Sequence, residues 1–279
     1  MEIEKIQRLI HKTIRKDYKK IFFALVILVL VIFGLLALWL STLKLPDLNS
    51  FETRKVAEST KIYDKTGKIL LYDVHQNTKR TEVPFDTISR NVKNATVAIE
   101  DAEFYTHHGI RISSIIRAIL ANIFLGQSQG GSTITQQVVK NTLLTGDKTA
   151  SRKIKEWYLS LKIERIFTKD QILSVYLNEV PYGGSIYGVE EASRTFFGKS
   201  SSEPSIAESA YIAAIPQAPT YFSPYGKNTK ALDTRKNLVL QKAFENKLIT
   251  QVDYDAAKAE LVVFLPQEPT GIKAPHFVF

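Results

Sequence analysis

Ala98-Ile-Glu-Asp-Ala-Glu-Phe-Tyr-Thr-His-His-Gly109 packs three carboxylates, an aromatic wall and two histidines into one short segment. Read as a helix, at about 100° per residue, it brings Glu100, Phe104 and His107 within roughly 60° of one another on one face, with Asp101 to the side. Gly109 then falls just past the helix C-terminus, where a left-handed conformation carries no Cβ clash. Apolar packing beside a carboxylate disfavours its charged form and raises its pKa, which suits a general base or acid near neutrality. The same residues also fit a solvated acidic face with a histidine as helix-dipole partner. The surrounding chain has to decide between the two.

Downstream, Ile112 to Leu125 is apolar almost all round, with Arg117 its one charge; at 14 residues it is too short to span a bilayer and reads first as a buried core helix. Gly126-Gln-Ser-Gln-Gly-Gly-Ser-Thr133 resembles a phosphate loop, but Ser132 stands where that motif needs Lys and no strand precedes it, so nucleotide binding is rejected. In Thr133-Ile-Thr-Gln-Gln-Val-Val-Lys-Asn141 the helical faces of Thr133, Gln137 and Lys140 coincide, with Asn141 adjacent, while Gln136 is placed to close a capping box on Thr133. Arg152 and Glu156 stand at i and i+4, the spacing of a site pair or of an ordinary surface ion pair. Helices are expected over Ser151 to Phe167, Lys169 to Asn178, Glu190 to Phe197, Glu203 to Ile215 and Thr229 to Lys247. Pro181-Tyr-Gly-Gly-Ser reads as a break, and Thr250 with Asp253 as a capping-box start for a last helix. Upstream, Thr60 to Tyr72 has a glycine-bearing turn between two β-prone runs, a hairpin signal. The expectation from pattern is a mainly α body with one short β-hairpin.

The N-terminus sets the compartment. Ile21 to Leu40 carries no charged side chain over a length that crosses a bilayer as a helix. Lys5, Arg8, Lys12, Arg15, Lys16, Lys19 and Lys20 precede it against Glu2, Glu4 and Asp17, so positive-inside bias places residues 1–20 in the cytoplasm and the remainder outside. No small-residue cleavage site follows, and Trp39 sits where an interfacial aromatic belongs, so the segment reads as an anchor. The expected organisation is a tail (1–20), a transmembrane helix (21–41), a stalk (42–59), a catalytic domain (60–265) and the start of a Pro-bearing linker (266–279). There is no cysteine, which excludes disulfides, thiolate metal sites and a cysteine nucleophile. The net charge of +9 suits anionic lipid or phosphorylated substrates; nucleic acid is not expected outside the membrane.

Five segments in order resemble the motif set of the peptidoglycan glycosyltransferases, glycosyltransferase family 51. They are Glu100-Asp-Ala-Glu-Phe-Tyr-Thr-His107-His-Gly, Gly130-Gly-Ser-Thr-Ile-Thr-Gln-Gln137-Val-Val-Lys-Asn141, Arg152-Lys-Ile-Lys-Glu156, Tyr182-Gly-Gly-Ser-Ile-Tyr-Gly188 and Glu208-Ser-Ala-Tyr-Ile-Ala-Ala-Ile-Pro-Gln-Ala-Pro219. The resemblance covers about residues 60–260. Ser174, where the family often has an acid, and Phe196, where it often has Tyr, are mild departures outside the expected chemistry.

The resemblance implies a lysozyme-like helical lobe with a small membrane-facing jaw, which tips Ile112 to Leu125 toward lipid. It implies polymerisation of lipid II onto a growing glycan strand, with attack by the GlcNAc 4-hydroxyl on the MurNAc anomeric carbon, inversion, and release of undecaprenyl pyrophosphate. By position, Glu100 resembles the general base, with Phe104 and His107 beside it. Lys140, Arg152 and Lys153 match phosphate-contacting positions. Glu156 resembles a second essential carboxylate that positions a cation or a divalent metal, Mg or Mn. Asp101, Gln137 and Asn141 order the site, and Thr133 is expected to meet substrate. No cofactor is required. Moenomycin-type inhibitors are expected in the donor site, and cell-wall synthesis or division proteins are candidate partners. Two alternatives differ in class: a lysozyme-like glycan-cleaving enzyme, which needs no cationic cluster, and a non-catalytic scaffold, against which Glu100 and Glu156 argue. Ala274-Pro-His-Phe277 is similar to the segment that leads into a transpeptidase in class A penicillin-binding proteins, so a further domain is expected beyond it.

Overall fold

In this computed structural model the described residues are 2–42, 60–63, 65, 70–74, 79–115, 117, 131–144 and 150–267. The chain divides into two units, 1–51 and 52–279. The first is the helix α1 (Glu2–Ser41), whose window Tyr18–Leu35 has a mean hydropathy of 2.3 and no buried residue. It is long and apolar enough to cross a membrane, as the charge-free run requires.

The second unit opens with the expected hairpin, β1 (Thr60–Tyr63) antiparallel to β2 (Leu70–Val74). After β3 (Lys79–Arg80) and a short 3-10 turn come α2 (Arg90–Glu100), α3 (Ile134–Thr142), α4 (Ala150–Ile166) and α5 (Lys169–Glu179). There follow β4 (Pro181–Gly183), β5 (Ile186–Tyr187), α6 (Val189–Phe197), α7 (Ile206–Ala214), α8 (Thr229–Glu245) and α9 (Gln251–Ala259). The mainly α reading therefore holds. Capping boxes start four helices: Thr133 with Gln136, Thr168 with Gln171, Ser205 with Glu208, and Thr250 with Asp253. Each cap stabilises its helix by about 1 kcal/mol.

One core forms where α7 packs on α2 and α8. Ala207, Ala210, Ala213 and Ala214 are buried there, and their small side chains let neighbouring backbones approach closely. The other forms where α3 packs on α4 and α5 through Ile134, Val138, Ile163, Ile172 and Leu173. Burying a side chain of this size contributes about 1.5–3 kcal/mol.

Two expectations are corrected. The helix does not run on to Gly109: α2 ends at Glu100, and residues 101–109 form turns. Asp101 leaves helical geometry at φ −161°, ψ 76°, because its side chain is drawn into the bonds described below. Pro181-Tyr-Gly-Gly-Ser is no mere break but a tight β4–β5 turn, with Gly183 at φ 104° and Gly184 at φ 55°. β5 also pairs in parallel with β3, giving a three-stranded sheet in the order β3-β5-β4. Its strands of two or three residues are too short for a period to show. Asn178 binds the segment after β3 in both directions, accepting from the Val83 amide (3.0 Å) and donating to its carbonyl (3.1 Å). Of Ile112 to Leu125, residues 112–115 and 117 are described and helical, with Ile112 67% exposed. The rest of that run, most of the glycine loop, the stalk and residues 268–279 lie outside the described residues.

Candidate active site

Glu100 is the last residue of α2, and its side chain is 12% exposed. Gln137, one turn into α3, donates from Nε2 to Glu100 Oε2 at 2.6 Å. From α8, Arg235 Nη2 lies 3.9 Å from the other carboxylate oxygen. Burial pushes the Glu100 carboxyl above the usual carboxylate range, and nearby Asp101 adds to that. The Gln137 hydrogen bond and the charges of Arg235 and Lys140 oppose the rise without cancelling it. Tyr176 on α5 and Tyr182 on β4 are buried against the same region. Burial, and then the Glu100 charge, push both hydroxyls upward, so each stays a neutral phenol.

The turns after Glu100 are fixed by Asp101, which is buried. Its Oδ2 accepts from His107 Nε2 (2.7 Å) and from the amide of Ile134 (3.1 Å), the first residue of α3. A carboxylate at a helix N-terminus also meets the positive end of the dipole. The Gly109 amide donates to His107 Nδ1 (3.1 Å), which leaves Nε2 as the donor to Asp101 and fixes the neutral tautomer. Gly109 has φ 90°, and a Cβ there would stand 2.7 Å from the Ser160 carbonyl oxygen of α4. Only glycine allows that approach. Phe104 is fully buried, edge-on to His107, with Lys169 Nζ 4.6 Å from its ring centroid. His107 thus serves Asp101 rather than Glu100.

Thr133 is buried, and its hydroxyl donates to the Gly109 carbonyl (2.6 Å) and accepts from the Gln136 amide (3.1 Å). The structure makes it a brace between the turns and α3. Lys140 and Asn141 lie exposed on the last turn of α3. On α4, Glu156 is 2% exposed and so belongs to no surface pair. Its recorded ion pair is with Lys153 at i and i+3, and Lys153 Nζ also donates to Ser132 Oγ at 2.9 Å. The Lys153 side chain remains 41% exposed, so a buried carboxylate holds up a reachable cation. Arg152 stands half-buried beside it.

Arg235, Tyr176 and Tyr182 had no role in the sequence reading. A signal existed for Arg235: it occupies the apolar stripe of α8, three residues after buried Leu232 and four before buried Val239. A cation on a core-facing stripe is out of place unless it meets an acid.

A model of the transglycosylase family matches residues 67–244. The chain belongs to that family. Penicillin-binding protein 1A of Rickettsia bellii is 40% identical over 86% of this chain and 31% of its own length. Penicillin-binding protein 1A of Aquifex aeolicus is 41% identical over 86% and 33%. The transglycosylase chain thus spans about a third of the length of these relatives. A crystal structure of penicillin-binding protein 1A from Haemophilus influenzae aligns with 77% of this chain and 22% of its own, at 23% identity and a TM-score of 0.43. As a transglycosylase the protein is an enzyme of the peptidoglycan glycosyltransferase class. The donor set around Glu156 does not fit a resident divalent cation: one of its oxygens is taken by the Lys153 ammonium. Among the described residues, no group of three or more His, Asp or Glu could hold a metal ion.

Proposed function

We propose that this transglycosylase polymerises lipid II, with Glu100 as the general base. The observation that carries this is a largely buried carboxylate whose pKa burial raises, held by the neutral amide of Gln137. Such a carboxylate is more basic than one in water, which is what proton abstraction requires. The acceptor GlcNAc 4-hydroxyl gives its proton to Glu100 as its oxygen bonds to the donor's anomeric carbon. The bond from that carbon to the pyrophosphate oxygen breaks, and the pyrophosphate leaves with the electron pair. Attack and departure on opposite faces invert the centre.

Charge develops on the leaving pyrophosphate, and cations aimed there contribute more in the transition state than in the ground state. Lys140, Arg152 and Lys153 take that role, with Glu156 orienting Lys153. Asp101, His107 and Thr133 hold the backbone that carries Glu100 against α3. In this reading α1 crosses the membrane with residues 1–20 in the cytoplasm, so the transferase works outside, on a donor whose polyprenyl tail stays in the bilayer. The exposed Ile112 supports a lipid-facing start to the apolar run that follows it. Moenomycin-type phosphoglycolipids compete at the same cations.

The test is chain growth from labelled lipid II, resolved by length. The parent elongates glycan, and Glu100→Gln, which keeps the shape but cannot take the proton, does not. Elongation by Glu100→Gln at the parental rate would remove the assignment.

A further inference from the structure

Arg235 of α8 is held beside Glu100 by groups from other elements, at a depth where an unpaired cation is costly. Arg235 Nε donates to the Ala214 carbonyl at 2.9 Å, its Cζ sits 5.5 Å from the centroid of the Phe222 ring, and Nη2 reaches 3.9 Å from Glu100 Oε1. Its side chain is 12% exposed, so the orientation is set by protein and not by water. The separation from Glu100 is longer than a hydrogen bond, so the two interact through charge, while the hydrogen bond to the carboxylate comes from Gln137.

We propose that Arg235 is a positioning residue that keeps Glu100 ionised between turnovers, so that the base re-forms after each proton it takes. This rests on Glu100 being the base. Each glycosyl transfer leaves Glu100 protonated, and the next cannot start until that proton reaches solvent. The groups facing Glu100 are Gln137 and Lys140 from α3, Asp101 from the turn, Tyr176 from α5, Tyr182 from β4 and Arg235 from α8. Gln137 is neutral, the two phenols are neutral, and Asp101 opposes ionisation. Lys140 is exposed at the site mouth, where donor pyrophosphate would claim its charge. Arg235 is therefore the buried cation in this set that a bound donor leaves facing the base. Its placement at 3.9 Å, without a direct bond, favours the carboxylate while leaving Oε1 open to a hydroxyl proton.

The experiment is a pH series of lipid II polymerisation by the full chain in detergent micelles, for the parent, Arg235→Gln and Arg235→Lys, with thermal melts of each. Losing the opposite charge moves the acid limb of kcat upward by about one pH unit or more in Arg235→Gln. KM for the donor stays put, activity recovers toward alkaline pH, and Arg235→Lys shifts the limb less in the same direction. A folded Arg235→Gln whose limb stays at the parental pH, or whose loss lies in KM alone, overturns the inference. If Arg235→Gln does not fold, Arg235→Lys decides: an upward shift supports the proposal and an unmoved limb overturns it. Glu100→Gln is run alongside. Its activity would overturn the base assignment itself, whereas an inactive Glu100→Gln with unmoved Arg235 variants overturns only the role of Arg235.

Discussion

Asp101 and His107 are joined by a 2.7 Å hydrogen bond that closes the turns between α2 and α3. The same carboxylate oxygen receives the first amide of α3, so one buried side chain sets the distance between the helix that ends in Glu100 and the helix that carries Gln137. Asp101→Ala leaves the Ile134 amide and His107 without their shared acceptor. A loss of about 3 kcal/mol in urea-unfolding stability is expected, the upper end for hydrogen bonds to a charged group. Asp101→Asn, which keeps an acceptor oxygen, should lose less.

Glu100 links catalysis to stability. A carboxyl whose pKa is higher folded than unfolded binds its proton more tightly in the folded state. Its favourable contribution is complete below the unfolded value, near 4.5, and is lost as pH rises through the raised folded value. Glu100→Gln should therefore melt at or above the parent at pH 8, with the gain shrinking as pH falls toward 4.5. A variant less stable than the parent at pH 8 would contradict the raised pKa.

Gly109→Ala adds a methyl group where 2.7 Å separates it from the Ser160 carbonyl, on a backbone at φ 90°. Strain and clash together should cost about 2 kcal/mol or more. Because residues 101–109 must shift to relieve it, glycan synthesis should fall even at temperatures where the protein stays folded, as an unfolding curve and an activity assay on one sample would show.

Lys153→Met removes the cation that Glu156 holds. Donor affinity should drop in a calorimetric titration, and stability should fall by about 1–2 kcal/mol as Glu156 loses its partner. Adding Glu156→Gln should restore the stability but not the affinity. Recovery of both would assign the pair a purely structural role.

Lys140→Ala and Arg152→Ala should each weaken binding of a pyrophosphate-bearing donor and of moenomycin, with melting temperatures little changed for exposed Lys140. Unaltered titrations in both variants would take the pyrophosphate away from this cluster.

Where the chain was legible, its signals were local. The helices from Thr133 and Thr250 announce themselves within four residues through their capping boxes, and α1 through its lack of charge. The carboxylate of Glu100 stood out by the density of groups around it. What could not be read depends on partners far along the chain. Glu100 to Gly109 has helical spacing, yet Asp101 gains more from His107 and the Ile134 amide than from another helical turn. Glu156 pairs with Lys153 at i and i+3, and Ser132, 21 residues before Lys153, fixes that ammonium from the other side, a partner that helical spacing alone does not reveal. Arg235 sits on the apolar stripe of α8, but the acid it faces, Glu100, comes beside it only when α8 packs on α2.

The capping boxes carry a consequence for how the protein folds. Each helix start they mark is encoded by residues three apart, so helix register is chosen before the chain has closed any long loop. The contacts that make the site do the opposite: Glu100 meets Gln137 across 37 residues, and Arg235 from the far end of the domain. Glu100 is therefore expected to gather its partners late, on the native side of the folding barrier. Substitutions in this cluster should change how fast the protein unfolds and leave its refolding rate nearly untouched, so the catalytic centre can drift in evolution without disturbing the route by which its scaffold is assembled.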